Sequence, residues 1–262
     1  MPTDMMKLFD THCHISDPKF DEDRSEVIAR MKAEHIEKAI VVGDATGDGS
    51  DVLALSEQND FLYMAYGLHP HDASKWCPEI EKRIVDLVSV EKNVAIGEIG
   101  LDYHYVLSPR DTQRAVFQRQ LYLAHEMQMP VILHIREAHG DAYEILHDSI
   151  KRGISVRGVM HCYGGSLESA TEYIKMGLFI SFSGSLTFKN TPVLSRVAEN
   201  IPLDSRLIET DSPYMAPVPM RGKRNEPCYV RYVCEKLAAL RNMPVERIAE
   251  ITFENGCRAF GI

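Results

Sequence analysis

Short apolar runs rich in Val, Ile and Leu recur along the chain, each followed by a turn signal and then by a stretch with apolar residues at helical spacing. That alternation is the pattern of parallel βα units, in which each strand is covered by the helix that follows it. Eight runs fit it: Lys7–Asp10, Ala39–Gly43, Phe61–Leu68, Val94–Ile99, Val131–His134, Gly158–His161, Leu178–Ser183 and Arg206–Thr210. Lys38-Ala39-Ile40-Val41-Val42 and Pro130-Val131-Ile132-Leu133 are apolar without alternation, which predicts strands buried on both faces. Helical spacing covers Arg24–His35, Glu79–Ser89, Arg110–Gln128, Ala142–Arg152 and Leu167–Met176. Ser108-Pro109-Arg110-Asp111 supplies a helix start, Met129-Pro130 a stop, and Gly153 and Gly177 C-terminal caps. After the last strand the pattern predicts a helix over Pro227–Arg241 and two short ones over Val245–Thr252 and Phe253–Phe260.

No Ser/Gly linker, low-complexity tract or short repeat divides the 262 residues, so residues 1–262 read as one domain. Eight βα units over a length near the ~250 residues typical of the fold predict an α/β protein of the (β/α)₈ TIM-barrel type. The alternative, an open doubly wound sheet, collects its ligand residues at one switch point. Here the candidate polar residues are spread along the whole chain.

Those polar residues sit at the ends of the apolar runs, and a barrel gathers such ends onto one face. Phe9-Asp10-Thr11-His12-Cys13-His14 closes the first unit, Gly67-Leu68-His69-Pro70-His71 the third and Gly97-Glu98-Ile99-Gly100-Leu101-Asp102 the fourth. His134 ends the fifth strand, His161 the sixth and Glu209-Thr210-Asp211 the eighth. The two-residue period of a strand points His12 and His14 the same way and Cys13 the other. A lone His134 reads equally well as a hydrogen-bonded core histidine. Glu98 and Asp211, straight after apolar residues, would be buried charges unless paired or bound to a cation. Convergence of His12, His14, His134 and His161 with Glu98 and Asp211 suits Zn²⁺, Mn²⁺, Co²⁺ or Fe²⁺. Six ligands exceed one tetrahedral site with an open position, but with a bridging carboxylate they can hold two ions ~3.5–4 Å apart. Cys13 and Cys162 admit a thiolate-ligand reading; a small apolar filler is the simpler role for Cys162.

Composition narrows the setting. With 45% hydrophobic and 26% charged residues the chain has an ordinary soluble makeup, which excludes disorder, collagen and coiled coil. The net charge of −9, from 29 Lys and Arg against 38 Asp and Glu, leaves no global attraction to a polyanion or an anionic membrane. Nucleic acid must then be met by a local patch. Six cysteines without a C-x-x-C pair, an N-terminal stretch Met1–Lys7 without an apolar core, and no long apolar segment predict reduced thiols, a cytoplasmic location and no membrane partner.

In order and context these motifs resemble the TatD family of metal-dependent hydrolases, within the amidohydrolase-like barrels. The resemblance runs end to end and includes Gly97-Glu98-Ile99-Gly100-Leu101-Asp102-Tyr103, Leu133-His134-Ile135-Arg136-Glu137-Ala138, His161-Cys162-Tyr163, Glu209-Thr210-Asp211-Ser212-Pro213-Tyr214 and Arg221-Gly222-Lys223-Arg224-Asn225-Glu226-Pro227. Departures from the family pattern fall at Ile135, at Tyr163-Gly164-Gly165 and in Tyr103-His104-Tyr105, with His104 read as exposed. The resemblance implies two divalent ions (Mg, Mn or Zn), one held by His12, His14, Glu98 and Asp211, the other by Glu98, His134 and His161. It also implies a deoxyribonuclease acting as a 3′-5′ exonuclease on single-stranded DNA or DNA ends.

Asp211 is the candidate general base, with Glu98 as the shared catalytic carboxylate. Arg136, Arg221, Lys223 and Arg224 are candidate phosphate contacts, and His69 either touches substrate or orients a ligand. Two other functions stay open: an ester or amide hydrolase such as a D-aminoacyl-tRNA deacylase, and a non-catalytic metal-binding scaffold. The chain is expected to act as a monomer.

Overall fold

The computed structural model describes residues 6–262; residues 1–5, part of the N-terminal stretch read above for a leader, lie outside the described residues. The strands are β1 (Leu8–Cys13), β2 (Ile36–Asp44), β3 (Leu62–Gly67), β4 (Asn93–Asp102), β5 (Val131–Arg136), β6 (Gly158–Met160), β7 (Leu178–Phe182) and β8 (Arg206–Ile208). They form one eight-stranded parallel sheet in which each strand pairs with its neighbour in sequence. The seam between β8 and β1 is stitched just beyond the strand ends, where Asp211 N–H donates to the His12 carbonyl at 2.9 Å and His14 N–H to the Ser212 carbonyl at 2.8 Å. The result is the expected (β/α)₈ barrel.

Around it run α1 (Arg24–Ala33), α2 (Ser50–Gln58), α3 (Pro78–Val88), α4 (Arg110–Glu126), α5 (His139–Lys151), α6 (Leu167–Lys175), α7 (Pro192–Asn200), α8 (Val230–Arg241) and α9 (Val245–Phe260). Apolar residues separate into two clusters. The larger one fills the layer between the sheet and the helices, as expected for strands covered on both faces. The smaller one, with Phe9, Ile40, Val42, Ala65, Val94, Ala95, Ile132, Val159 and Leu207, packs against Ala259 and Phe260 of α9. Phe9 meets Phe253 and Phe260 at ring-centroid distances of 6.1 and 6.2 Å, so α9 plugs the end of the barrel where the strands start. The opposite end is left to the polar residues.

Four local expectations are corrected. The final two short helices are one continuous α9 with no break between Thr252 and Phe253, and Gly256 within it is a packing contact: a Cβ there would lie 2.4 Å from the Phe9 ring. Two helices, α2 and α7, have no counterpart in the reading above. Within α2 only Val52 and Ser56 are buried, too few to produce a visible period. Pro227–Tyr229 is a 3₁₀ turn, so α8 begins at Val230. Finally, β1 and β4 run past their expected ends, to Cys13 and Asp102. Glu98 sits inside β4, as the run Val94–Ile99 has it, within a register irregularity between Ile96 and Ile99. Gly100 in the same strand adopts φ 142°, and a Cβ there would lie 2.1 Å from the His134 carbonyl oxygen, so only glycine lets β4 and β5 approach this closely.

Candidate metal centre

At the C-terminal mouth of the barrel, His12 of β1 and His14 just beyond it place their Nε2 atoms 3.1 Å apart. Glu98 Oε2 lies 3.5 Å from His12 Nε2 and 3.8 Å from His14 Nε2. Asp211 Oδ1, on the loop after β8, lies 3.8 Å from His12 Nε2 and 3.5 Å from His14 Nε2. Four ligands at ~2.1 Å in a tetrahedron would be about 3.4 Å apart, which matches this spacing. The other oxygen of the same carboxylate faces a different pair: Glu98 Oε1 is 2.8 Å from His134 Nδ1 and 3.0 Å from His161 Nε2. Glu98 is only 7% exposed.

The outer nitrogens of these rings fix which atom faces inward. His134 Nε2–H donates to Asp102 Oδ2 at 3.1 Å, and His161 Nδ1–H donates to Glu209 Oε1 at 2.9 Å, where the Cys162 N–H also binds at 2.7 Å. His14 Nδ1–H donates to the Val42 carbonyl at 3.2 Å. A neutral ring so held turns a bare lone pair inward, and in His134 and His161 that lone pair meets the lone pairs of Glu98 Oε1. Such an arrangement is repulsive unless a proton or a metal cation lies among them, and rings oriented by carboxylates or carbonyls are how metal-binding histidines are held. The donor set is nitrogen and oxygen without thiolate, which suits a borderline or hard divalent ion.

Three groups among the described residues, two of them sharing His12, bring donor atoms within 4.8 Å of one another: His12, His161 and Glu209; His12, His14 and Asp211; His69, Glu98 and His134. Hydrogen bonding separates His69 from the rest. Its Nδ1 accepts from the His71 N–H at 3.1 Å, so its proton resides on Nε2, 3.7 Å from Glu98 Oε1. Burial lowers its pKa to about 3, which keeps this ring a neutral donor. His12 Nδ1 and Glu209 Oε2 are buried without a direct partner.

Three carboxylates named above only as parts of motifs are structural members of this centre. Asp102 accepts from His134 and His71 on Oδ2, the latter at 2.9 Å, and from the His104 and Tyr105 N–H groups on Oδ1. Glu209 orients His161. Asp10 accepts from Thr210 N–H and Oγ1–H and from His12 N–H, tying β1 to the β8 end, and burial lifts its pKa to about 8. Their visible signal was a carboxylate near a proposed ligand at the end of an apolar run, two residues away for Asp10 and Glu209 and four for Asp102.

The candidate phosphate contacts divide. Arg136 and Lys223 are exposed, with the Arg136 guanidinium 4.8 Å from the Tyr105 ring centroid. Arg221 is exposed too, donates to the Ala216 carbonyl and lies 3.9 Å over Phe188. Arg224 departs from expectation. Both its terminal nitrogens reach Asp23 at 2.7 Å, it pairs with Glu226 at 3.3 Å, and it stacks on Phe20, so it braces α1 against the loop after β8. Cys13 faces away from the histidines and donates to the Ile40 carbonyl. All six cysteines are free. Cys162 contacts Ser183 Oγ at 3.1 Å, with burial lifting its thiol to about 12. His104 is exposed and pairs with Glu137.

A family model described as TatD related DNase matches residues 9–261. The chain belongs to this TatD-related family. It is 46% identical over 255 residues to the uncharacterized metal-dependent hydrolase YabD of Bacillus subtilis (strain 168), covering 97% of this chain and 99% of the relative. It is 32% identical over 263 residues to the 3′-5′ ssDNA/RNA exonuclease TatD of Rahnella sp. (strain Y9602), covering 97% and 98%. Among solved structures, the TatD homolog YJJV from Escherichia coli K12 superposes with a TM-score of 0.90 at 31% identity, over 98% of this chain and 99% of that one. TatD-related membership and the mouth geometry agree on a metal-dependent hydrolase. No helix among the described residues is long and apolar enough to cross a membrane.

Proposed function

We propose that this chain binds two divalent ions, Mg²⁺, Mn²⁺ or Zn²⁺, and cleaves phosphodiester bonds from the 3′ end of single-stranded DNA. The observation that carries the proposal is the division of Glu98, with Oε2 toward His12 and His14 and Oε1 toward His134 and His161. In this reading His12, His14, Glu98 and Asp211 hold one ion, and Glu98, His134 and His161 hold the other. When bound, the ion pair supplies charge stabilisation at a phosphoryl group and lowers the pKa of water.

The chain's own groups do the rest. Asp211, half-buried beside His14, is the general base that accepts the proton of the attacking water and returns it to the leaving oxygen. The His69 Nε2–H donates to a non-bridging phosphoryl oxygen, and its neutrality spares the site a competing cation. Arg136, Arg221 and Lys223 meet the strand's phosphates, while Arg224 is withdrawn into its ion pairs. The nucleic-acid substrate draws support from the Rahnella relative's name. We propose further that residues 1–262 act as one domain and as a monomer.

The test is to incubate pure protein with Mg²⁺ or Mn²⁺ and single-stranded oligonucleotides blocked at one end by phosphorothioates. The proposal expects shortening of 5′-blocked strands, none of 3′-blocked strands, and loss of turnover in Glu98→Ala and His134→Ala. Wild-type turnover in both variants, or hydrolysis of a D-aminoacyl-tRNA ester in place of DNA, would overturn it.

A further inference from the structure

Two exposed tyrosines stand on opposite sides of the metal centre. Tyr105 follows β4 and Tyr214 follows β8, and strands four apart in an eight-stranded ring face each other across the barrel. Both rings are open to solvent, 54% for Tyr105 and 48% for Tyr214. Each stands nearly perpendicular to a histidine of the centre: Tyr105 to His71 at 5.5 Å and 85°, Tyr214 to His14 at 6.3 Å and 71°. A cation lies against each ring, Arg136 at 4.8 Å from Tyr105 and Lys19 at 4.3 Å from Tyr214.

Neither ring is loosely hung. The Tyr105 N–H donates to Asp102, the carboxylate that also holds His134 and His71. The Tyr214 carbonyl accepts from the buried Asn225 amide at 2.6 Å, and its hydroxyl donates to Asp17 at 3.3 Å. A fixed, open aromatic face backed by a cation is what proteins use to stack unpaired bases while the charge meets the adjoining phosphate. Such stacking accepts any base, because every base has a π face. Bases within a duplex are already stacked on each other and cannot reach a tyrosine.

We infer that Tyr105 and Tyr214 are stacking platforms for the bases on either side of the scissile phosphate. The inference rests on the nuclease reading above and sharpens it. The substrate is an unpaired strand end with a base on each side of the cleaved bond, and a dinucleotide is the shortest good substrate. Arg136 and Lys19 belong to these platforms, and Lys19 joins the candidate phosphate contacts.

The test couples ring to base. Tyr105→Ala, Tyr214→Ala and their Phe and Trp counterparts are assayed on a normal strand and on an otherwise identical strand abasic at the two positions flanking the scissile bond. Each Ala variant should lose roughly tenfold in kcat/KM on the normal strand, mostly in KM, with Phe and Trp close to wild type. On the abasic strand wild type should already be slow and the Ala variants no slower. Independently, metal-free protein in chelator should quench a 2-aminopurine placed at either flanking position, and the matching Ala variant should not. Equal losses on normal and abasic strands, or quenching that survives both Ala changes, overturns the platforms even if DNA is cleaved. Absence of cleavage of any oligonucleotide by wild type overturns the nuclease reading and the platforms with it.

Discussion

Glu209 touches no substrate in this account, yet it holds His161 and the Cys162 N–H on one oxygen. Glu209→Ala removes the acceptor of the His161 Nδ1–H, and outer partners of this kind are worth about 10–100-fold in metal affinity or activity. A loss in that range is expected in a Mn²⁺ titration read by isothermal calorimetry, and an unchanged affinity would show that the tautomer is set otherwise. Ligand-type residues were legible in the sequence because each is a polar side chain where an apolar run should continue. Glu209, Asp102 and Asp10 were not given roles, because each carboxylate lies within four residues of a stronger candidate and has a partner on a different strand. His69 was left with two roles, and the bond to its Nδ1 from the His71 backbone, which decides between them, has no sequence signature. Arg224 was read as a free cation from the run Arg221-Gly222-Lys223-Arg224. Its partner Asp23 is 201 positions away, beyond any local pattern.

At the level of elements, the strands and their order follow directly from buried parallel strands being apolar throughout, and helix ends with Pro or Gly could be read. The expected break between Thr252 and Phe253 is absent, and Gly256 within the continuous α9 serves a neighbour, its missing Cβ leaving room for the Phe9 ring. This makes a test with opposed terms. Ala at 256 gains about 1 kcal/mol of helix propensity but drives a methyl into the buried Phe9 ring, an overpacking cost of about 1–3 kcal/mol. The packing term wins, so Gly256→Ala is expected to destabilise by about 1 kcal/mol, a fall in Tm of about 2–4 °C. Thermal denaturation followed by circular dichroism checks it; a stabilised variant would place slack around Phe9.

The bracing of α1 by the loop after β8 has its own signature. Hydrogen bonding from Arg224 holds the Asp23 carboxyl at about 2, below its ordinary value, despite partial desolvation. The unfolded chain then binds its proton at higher pH than the folded one. The stability from this pair is therefore complete above the ordinary carboxylate range and lost as pH falls through it toward about 2. Arg224→Met should be less stable than wild type near neutrality and should lose less between about pH 4 and about pH 2. Parallel denaturation midpoints across that interval would remove Arg224 as the cause.

For the whole molecule, a net charge of −9 leaves the mouth as the place where a polyanion is welcome. If Arg136, Arg221, Lys223 and Lys19 each neutralise one phosphate, four contacts on a single strand give a salt slope of about −3 in log–log terms, so KM should rise roughly 50-fold between 50 and 200 mM salt. A flat salt response would exclude these cations. The barrel delivers side chains from β1, β4, β5, β6 and β8 to one point, and Glu98 is the group they share. That sharing is the central claim, and elemental analysis of metals bound per chain, after equilibration with Mn²⁺ and removal of free ion, tests it most directly. The account predicts two ions on wild-type protein and one or none on Glu98→Gln, with oligonucleotide turnover lost in the variant. Two ions retained by Glu98→Gln, or full turnover by wild type stripped of metal, would contradict it.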